Sequence, residues 1–175
     1  MADPEDTELD LDAELFMQMM LRELTGLLDD VVGLEEAEGY IHSVGSAMGR
    51  WIDRKYRSGG LVGDLSPEAV AQVFVDLKRR IGGRFYVLNV TEDRITIGND
   101  RCPFGELAHG RDALCMMTSS VFGRIAADRT GYARVSLEKT IARMDGKCVI
   151  HVDLLPSAMK SADGRDYFRL PQAAE

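Results

Sequence analysis

Three cysteines carry the chemistry open to this sequence: Cys102 in the run Cys102-Pro103-Phe104-Gly105, Cys115 twelve intervening residues later, and Cys148 a further thirty-two on. A thiolate is a soft donor and a nucleophile, so three thiols can hold a metal, cycle between redox states, or fill a core as small apolar groups. Zinc ribbons and fingers show close Cys-x2–4-Cys pairs because one knuckle supplies two ligands, and that pairing is absent here. Any metal site must therefore be assembled by the tertiary fold. An odd cysteine count argues against a disulfide framework. His109, seven residues beyond Cys102, is the histidine to test first as a further ligand. His42 and His151 sit in helix and strand patterns that read as exposed or structurally hydrogen-bonded positions, not catalytic ones. Ser119, Ser120 and Asp112 are hydrolytic group types, but no Gly-x-Ser-x-Gly elbow accompanies them and the sequence places no base. No glycine-rich loop opens a helix after a strand, so nucleotide binding has no support. The reading is a sensing or signalling module, not an enzyme.

The elements that must position these residues follow from periodicity. Leu15, Phe16, Met19, Met20, Leu24, Leu27, Leu28, Val31 and Val32 recur at three- and four-residue spacing, which predicts an amphipathic helix over 12–32. Within it Met17, Leu21, Leu24, Leu28 and Val31 approach a heptad seam. Gly33 breaks the pattern, and a second helix is predicted up to Ser58-Gly59-Gly60, with Gly45 and Gly49 one turn apart where another backbone could approach. Ser66 followed by Pro67 is a cap with proline at the first helical position and launches a third helix to about Arg80. From Arg84 the period becomes two: Phe85, Val87 and Val90, then Thr91-Glu92-Asp93, then Ile95 and Ile97, a β-hairpin. A helix over 111–128 carries Cys115 at the edge of its apolar arc. Strands over 133–138 and 148–154 flank the Asp145-Gly146 turn, with Cys148 on the inward phase of Ile150, Val152 and Leu154. Helices followed by an antiparallel sheet packed with one long helix make an α+β fold. The chain divides into an acidic start and amphipathic helix for linkage or dimerisation (1–33), a sensory or output domain (34–156) and a loose tail (157–175).

With 175 residues, 45 % of them apolar, the chain suits one domain with an attached helical segment. A net charge of −8 argues against a nucleic-acid surface, which needs clustered Lys and Arg. The nearest candidate, Arg50 to Arg57 with four basic residues and two aromatics, reads better as a solvated helix face. No signal-like start and no apolar run of membrane-spanning length are present, so a cytoplasmic protein is expected.

The run from Cys102 to Leu154 also resembles a known family. Its segments are Cys-Pro-Phe-Gly, Leu-Cys-Met-Met-Thr-Ser-Ser-Val-Phe-Gly, Gly-Tyr-Ala-Arg-Val-Ser-Leu-Glu-Lys-Thr-Ile and Gly-Lys-Cys-Val-Ile-His-Val. They look like the methanogen output domain, and the order of elements is more distantly similar to the 4-vinyl reductase-type ligand-binding domain. The resemblance implies an output or sensory module working beside signalling domains. In the wider group a zinc is held by a helix cysteine, a strand glutamate, a strand cysteine and a final cysteine. This implies Cys115, Glu138 and Cys148 here. The strand cysteine has no match, its place falling at about Ile141, and Cys102 is the substitute fourth ligand. Glu138, however, shares the strand phase of Arg134 and Ser136, opposite Val135 and Leu137. Without it, three thiols plus His109 or an exogenous ligand suit zinc or a [4Fe–4S] cluster with one labile iron, and a metal-free set is a third alternative.

Two functions compete. In the first, a small ligand or metal is sensed in a pocket near Cys102, Cys115 and Cys148, lined by Phe85, Met117, Phe122 and Tyr132, and the change passes to a signalling partner within a homodimer. In the second, the chain is a helical adaptor whose first helix dimerises and whose cysteines are structural.

Overall fold

The computed structural model describes residues 12–156 and 164–170, so the first eleven residues of the expected acidic start lie outside it. Helix α1 (Ala13–Val32) begins where the Asp12 carboxylate accepts from the Leu15 amide at 2.7 Å, satisfying one of the free amides of a first helical turn. Gly33 alone links it to α2 (Leu34–Ser58), at a backbone φ of 80° that side chains disfavour. Helix α3 (Pro67–Arg80) is capped by Ser66, whose hydroxyl accepts from the Ala69 amide, with Pro67 at its first position. The hairpin β1 (Phe85–Val90) and β2 (Arg94–Asn99) follows, then α4 (Asp112–Thr130), β3 (Tyr132–Lys139) and β4 (Cys148–Asp153). The fold is α+β, as expected.

The tail departs from expectation. Within the segment expected to be loose, Gly164–Phe168 forms β5, an edge strand paired antiparallel to β3 from Tyr132↔Phe168 to Ser136↔Gly164. It escapes the alternation test because an edge strand needs little apolar alternation: only Tyr167 is deeply buried. Polar contacts support its register instead, Asp166 accepting from the Tyr132 hydroxyl and pairing with Arg134. The sheet order is β1-β2-β4-β3-β5, every neighbouring pair antiparallel.

Alternation turns Ile95, Ile97, Cys148, Ile150 and Val152 inward, where α3 and α4 cover them with Val70, Phe74, Leu77, Phe122 and Ile125. Phe74 and Phe122 stack at 4.1 Å between centroids. Helix α4 is buried on nearly every side, because α2 closes the face that the sheet does not. That closure depends on glycine. A Cβ at Gly45 would lie 2.5 Å from the Ser120 Cβ, and one at Gly49 would lie 2.8 Å from the Arg124 Cβ. Farther along the same seam, Arg129, with no solvent exposure, donates to Asp53 at 2.5 Å and to the Gly63 carbonyl at 2.8 Å. The Arg50–Arg57 stretch is bound into this frame: Arg57 pairs with Asp53, and Tyr56 donates to Asp76. No helix among the described residues is long and apolar enough to cross a membrane.

A pair of substitutions tests the seam. Gly45→Ala is expected to destabilise by about 1–3 kcal/mol through overpacking against α4. Gly39→Ala, on the same helix with nothing within 4 Å of its added Cβ, should stabilise by about 0.5–1 kcal/mol. Thermal melts of both would show shifts of opposite sign; equal shifts would contradict the close-approach geometry.

Candidate functional site

The three cysteines gather at one end of the sheet around a lysine that the sequence reading passed over. Cys148, at the start of β4, pairs in register with Asn99 at the end of β2. Its Sγ accepts from the Asn99 side-chain amide at 3.6 Å and from the Ile141 backbone amide at 3.4 Å. Cys102 follows Asn99 by three residues on the descending loop. Cys115 and Thr118 stand one turn apart on α4, with the Thr140 side chain hydrogen-bonding to the Cys115 thiol. Thr118 accepts from the Lys78 ammonium at 3.0 Å.

Lys78 reaches this position from the last turn of α3, only 5 % exposed. Its Nζ lies 5.2 Å from the Phe85 ring centroid and 5.4 Å from that of Phe122, within cation–π range of both. No carboxylate pairs with it among the described residues. Burial pushes its pKa down to about 8, while the charges of Cys102, Cys115 and Cys148 act in the opposite sense. Burial likewise pushes Cys115 up to about 12, reinforced by the other two cysteines. Cys102 is raised too, chiefly by burial, with the Phe104 backbone amide and Lys78 pulling it back. The sequence did hold a signal: Lys78 lies four residues after Phe74 and eight after Val70, on the arc that α3 buries.

Cys102 also faces outward, into a cleft of about 540 Å³. One wall is the 100–109 segment with Arg101, Cys102, Pro103, Phe104 and His109; another is Ile141, Met144 and Gly146; the roof is Glu14 and Gln18 of α1. Polar bonds fasten that roof. Gln18 donates to the Pro103 carbonyl at 3.1 Å, and Arg22 donates to the carbonyls of Leu107 and His109. His109 therefore lies in the cleft with Cys102.

The remaining expected site residues are placed apart. Glu138 pairs with His151 at 2.8 Å on the outer, partly exposed side of the sheet, as its strand phase required. Among the described residues no group of three or more His, Cys, Asp or Glu side chains converges closely enough to hold a metal ion. The zinc set implied by the family resemblance does not fit this arrangement, in which an ammonium stands among the thiols. Phe85 and Phe122 do meet, edge to face at 6.0 Å, but as the walls around Lys78 in a filled core. Met117 packs between α1, α2 and α4, and Tyr132 lies at the β5 edge against Phe168, so the four residues expected to line one pocket do not come together. Ser120 meets a base unforeseen in sequence, His42 Nδ1 at 3.3 Å. Yet its hydroxyl is buried and donates to the Met116 carbonyl, which suits packing better than nucleophilic attack.

The architecture recurs in solved structures. The phenol-responsive sensory domain of the transcription activator PoxR, with phenol, matches with a TM-score of 0.62 at 14 % identity, covering 84 % of this chain and 77 % of that one. A trafficking protein particle complex subunit 3 from Naegleria fowleri, covalently bound to palmitic acid, matches with a TM-score of 0.54 at 18 % identity, covering 90 % and 98 %. At such identities the likeness establishes a shared fold. A search of curated proteins finds no match. The sequence itself matches methanogen output domain 1 over residues 20–153, and the chain belongs to that family. The resemblance read from Cys102 to Leu154 thus extends over most of the chain.

Lys78 makes stability depend on pH with a definite sign. Its pKa is about 8 when folded against an ordinary 10.5, so the cost of the buried charge is complete below pH 8 and disappears as pH rises towards 10.5. Cys115, about 12 when folded against 9.0, acts oppositely and removes stability above pH 9. Denaturation of the wild type should therefore show stability rising between pH 8 and 9, by at most about 1.4 kcal/mol per pH unit. Lys78→Met should lose that rise and be the more stable protein at pH 7. A Lys78→Met profile parallel to the wild type would refute the buried-charge assignment.

Proposed function

We propose that this protein is a sensory ligand-binding module whose ligand occupies the cleft beneath α1, and that the occupied state is relayed through α1 and α2 to a protein partner. The observation that carries this reading is the composition of the cleft's walls. They come from segments far apart in sequence, and α1 is pinned to the 100–109 segment by Gln18 and Arg22, so a molecule between them bears directly on both. A ligand changes a protein's state only through differential contacts with its two arrangements, and a bridged roof supplies such contacts. The volume is within the range for small-molecule sites. Pro103, Phe104, Ile141 and Met144 offer an apolar bed beside polar Arg101 and His109, which suits an amphiphilic molecule. Fold neighbours captured with phenol and with palmitic acid support a ligand-binding role for this architecture. Cys102 alone of the three thiols lines the cleft, and Lys78 is buried behind it, where a ligand's polar group would alter the electrostatics of the ammonium.

Calorimetry and thermal melts with phenol and palmitate as separate probes test the reading. At about a hundredfold excess over Kd, a cleft ligand should stabilise by about 2.7 kcal/mol, a melting shift of about 5–10 °C. Hydrogen exchange should slow in both 13–24 and 100–109. In a Gln18→Ala, Arg22→Ala double variant, exchange in α1 should no longer respond. Binding that protects neither segment, or no binding by either probe, would remove the cleft reading.

A further inference from the structure

Helix α1 turns an apolar face away from its own domain. Thr25 and Gly26 are buried, and Leu21 and Leu28 are partly so, which places the inner side of the helix on that arc. On the opposite side Met17, Met20, Leu24, Leu27 and Val31 follow a strict three-four spacing, and all five are 38–71 % exposed. The seam read from sequence therefore divides: Met17, Leu24 and Val31 belong to the outward stripe, while Leu21 and Leu28 belong to the domain. Helix α2 carries a second outward stripe, Tyr40, Val44, Met48 and Trp51, opposite the glycines that seat it on α4. The two stripes are similar in length, roughly 15–20 Å. Together they expose on the order of 1,000 Å² of apolar side chain, comparable with the roughly 800 Å² per partner that a stable complex buries and larger than monomers ordinarily leave bare.

The charges beside the stripes select the occupant. Glu23 and Asp30 flank the α1 stripe, whereas Arg54 and Lys55 flank the end of the α2 stripe. Pairing α1 with another α1 would set acid beside acid; pairing α1 with α2 sets acid beside base. We infer that a second copy of this chain covers this face, α1 of each copy lying on α2 of the other in a two-fold four-helix interface. Each copy supplies both complementary stripes, which is the condition for a closed, self-complementary dimer. This inference does not depend on whether the cleft holds a ligand.

Light scattering and sedimentation of the full chain test it. The wild type is expected to be a dimer at micromolar concentration. Leu24→Glu with Leu27→Glu, and separately Trp51→Glu, should give monomers with unchanged circular dichroism, since these side chains lie away from the domain core. Charge exchange provides a second readout that leaves the apolar stripes intact. Glu23→Lys with Asp30→Lys should weaken the dimer, Arg54→Glu with Lys55→Glu should weaken it too, and mixing the two proteins should restore dimers. A wild-type monomer, as expected if a different protein covers this face, would overturn the inference. So would a dimer that survives Trp51→Glu or the α2 charge exchange, because either would remove α2 from the interface.

Discussion

The buried ion pair between Asp53 and Arg129 is the constraint on which the remaining architecture rests. It joins the far ends of α2 and α4, and the same Asp53 also receives Arg57 while Arg129 reaches the Gly63 carbonyl. Breaking one partner of such a pair leaves a desolvated charge and typically costs about 3–5 kcal/mol, so the two helices are held in one relative position. Given that position, Gly45 and Gly49 admit α4 to contact distance, and the helix becomes enclosed by α2, α3 and the sheet. Enclosure explains why α4 lacks a clean amphipathic pattern. Its opposite faces then serve different tasks: Cys115 and Thr118 meet the lysine, whereas Ser120 meets His42 and Tyr167.

The lysine and thiol cluster follows from this enclosure. An ammonium in a low-dielectric core is unfavourable unless something replaces water, and here the replacements are one hydroxyl, two aromatic faces and three polarizable thiols. Burial raises the pKa of Cys102 and of Cys115, which disfavours their thiolate forms and so withholds two counter-charges from the ammonium. The cluster therefore stores an unfavourable charge behind the cleft floor. Costly groups of this kind concentrate where proteins bind or switch, and this one lies behind the cleft proposed above as the ligand site.

Much of the fold was legible because its elements bury one face each. The three- and four-residue spacing located α1, α2 and α3, the Ser66-Pro67 signal located the start of α3, and period-two alternation located β1, β2 and β4, with Cys148 inward. Glu138 was readable as outward-facing for the same reason. The edge strand β5 was not legible, since a strand with one deeply buried side chain has no period to detect. The candidate site was legible only as a list of cysteines. Lys78 was hidden because residue type outweighed its position on the buried arc, and the α1 seam was mixed because that helix is apolar on two sides.

The sequence by itself determined the α+β class, the family, the helix and strand positions that bury one face, and the importance of the three cysteines, because these rest on local periodicity and residue chemistry. Only the tertiary structure decided what the cysteines surround, that Glu138 stands apart from them with His151, that α1 roofs a cleft through Gln18 and Arg22, and which apolar stripe remains outside. Those outcomes depend on residues such as Lys78 and Thr118, forty positions apart, and on how closely α2 approaches α4. Distances across a packed core are set by the simultaneous fit of several elements, and no local pattern encodes them.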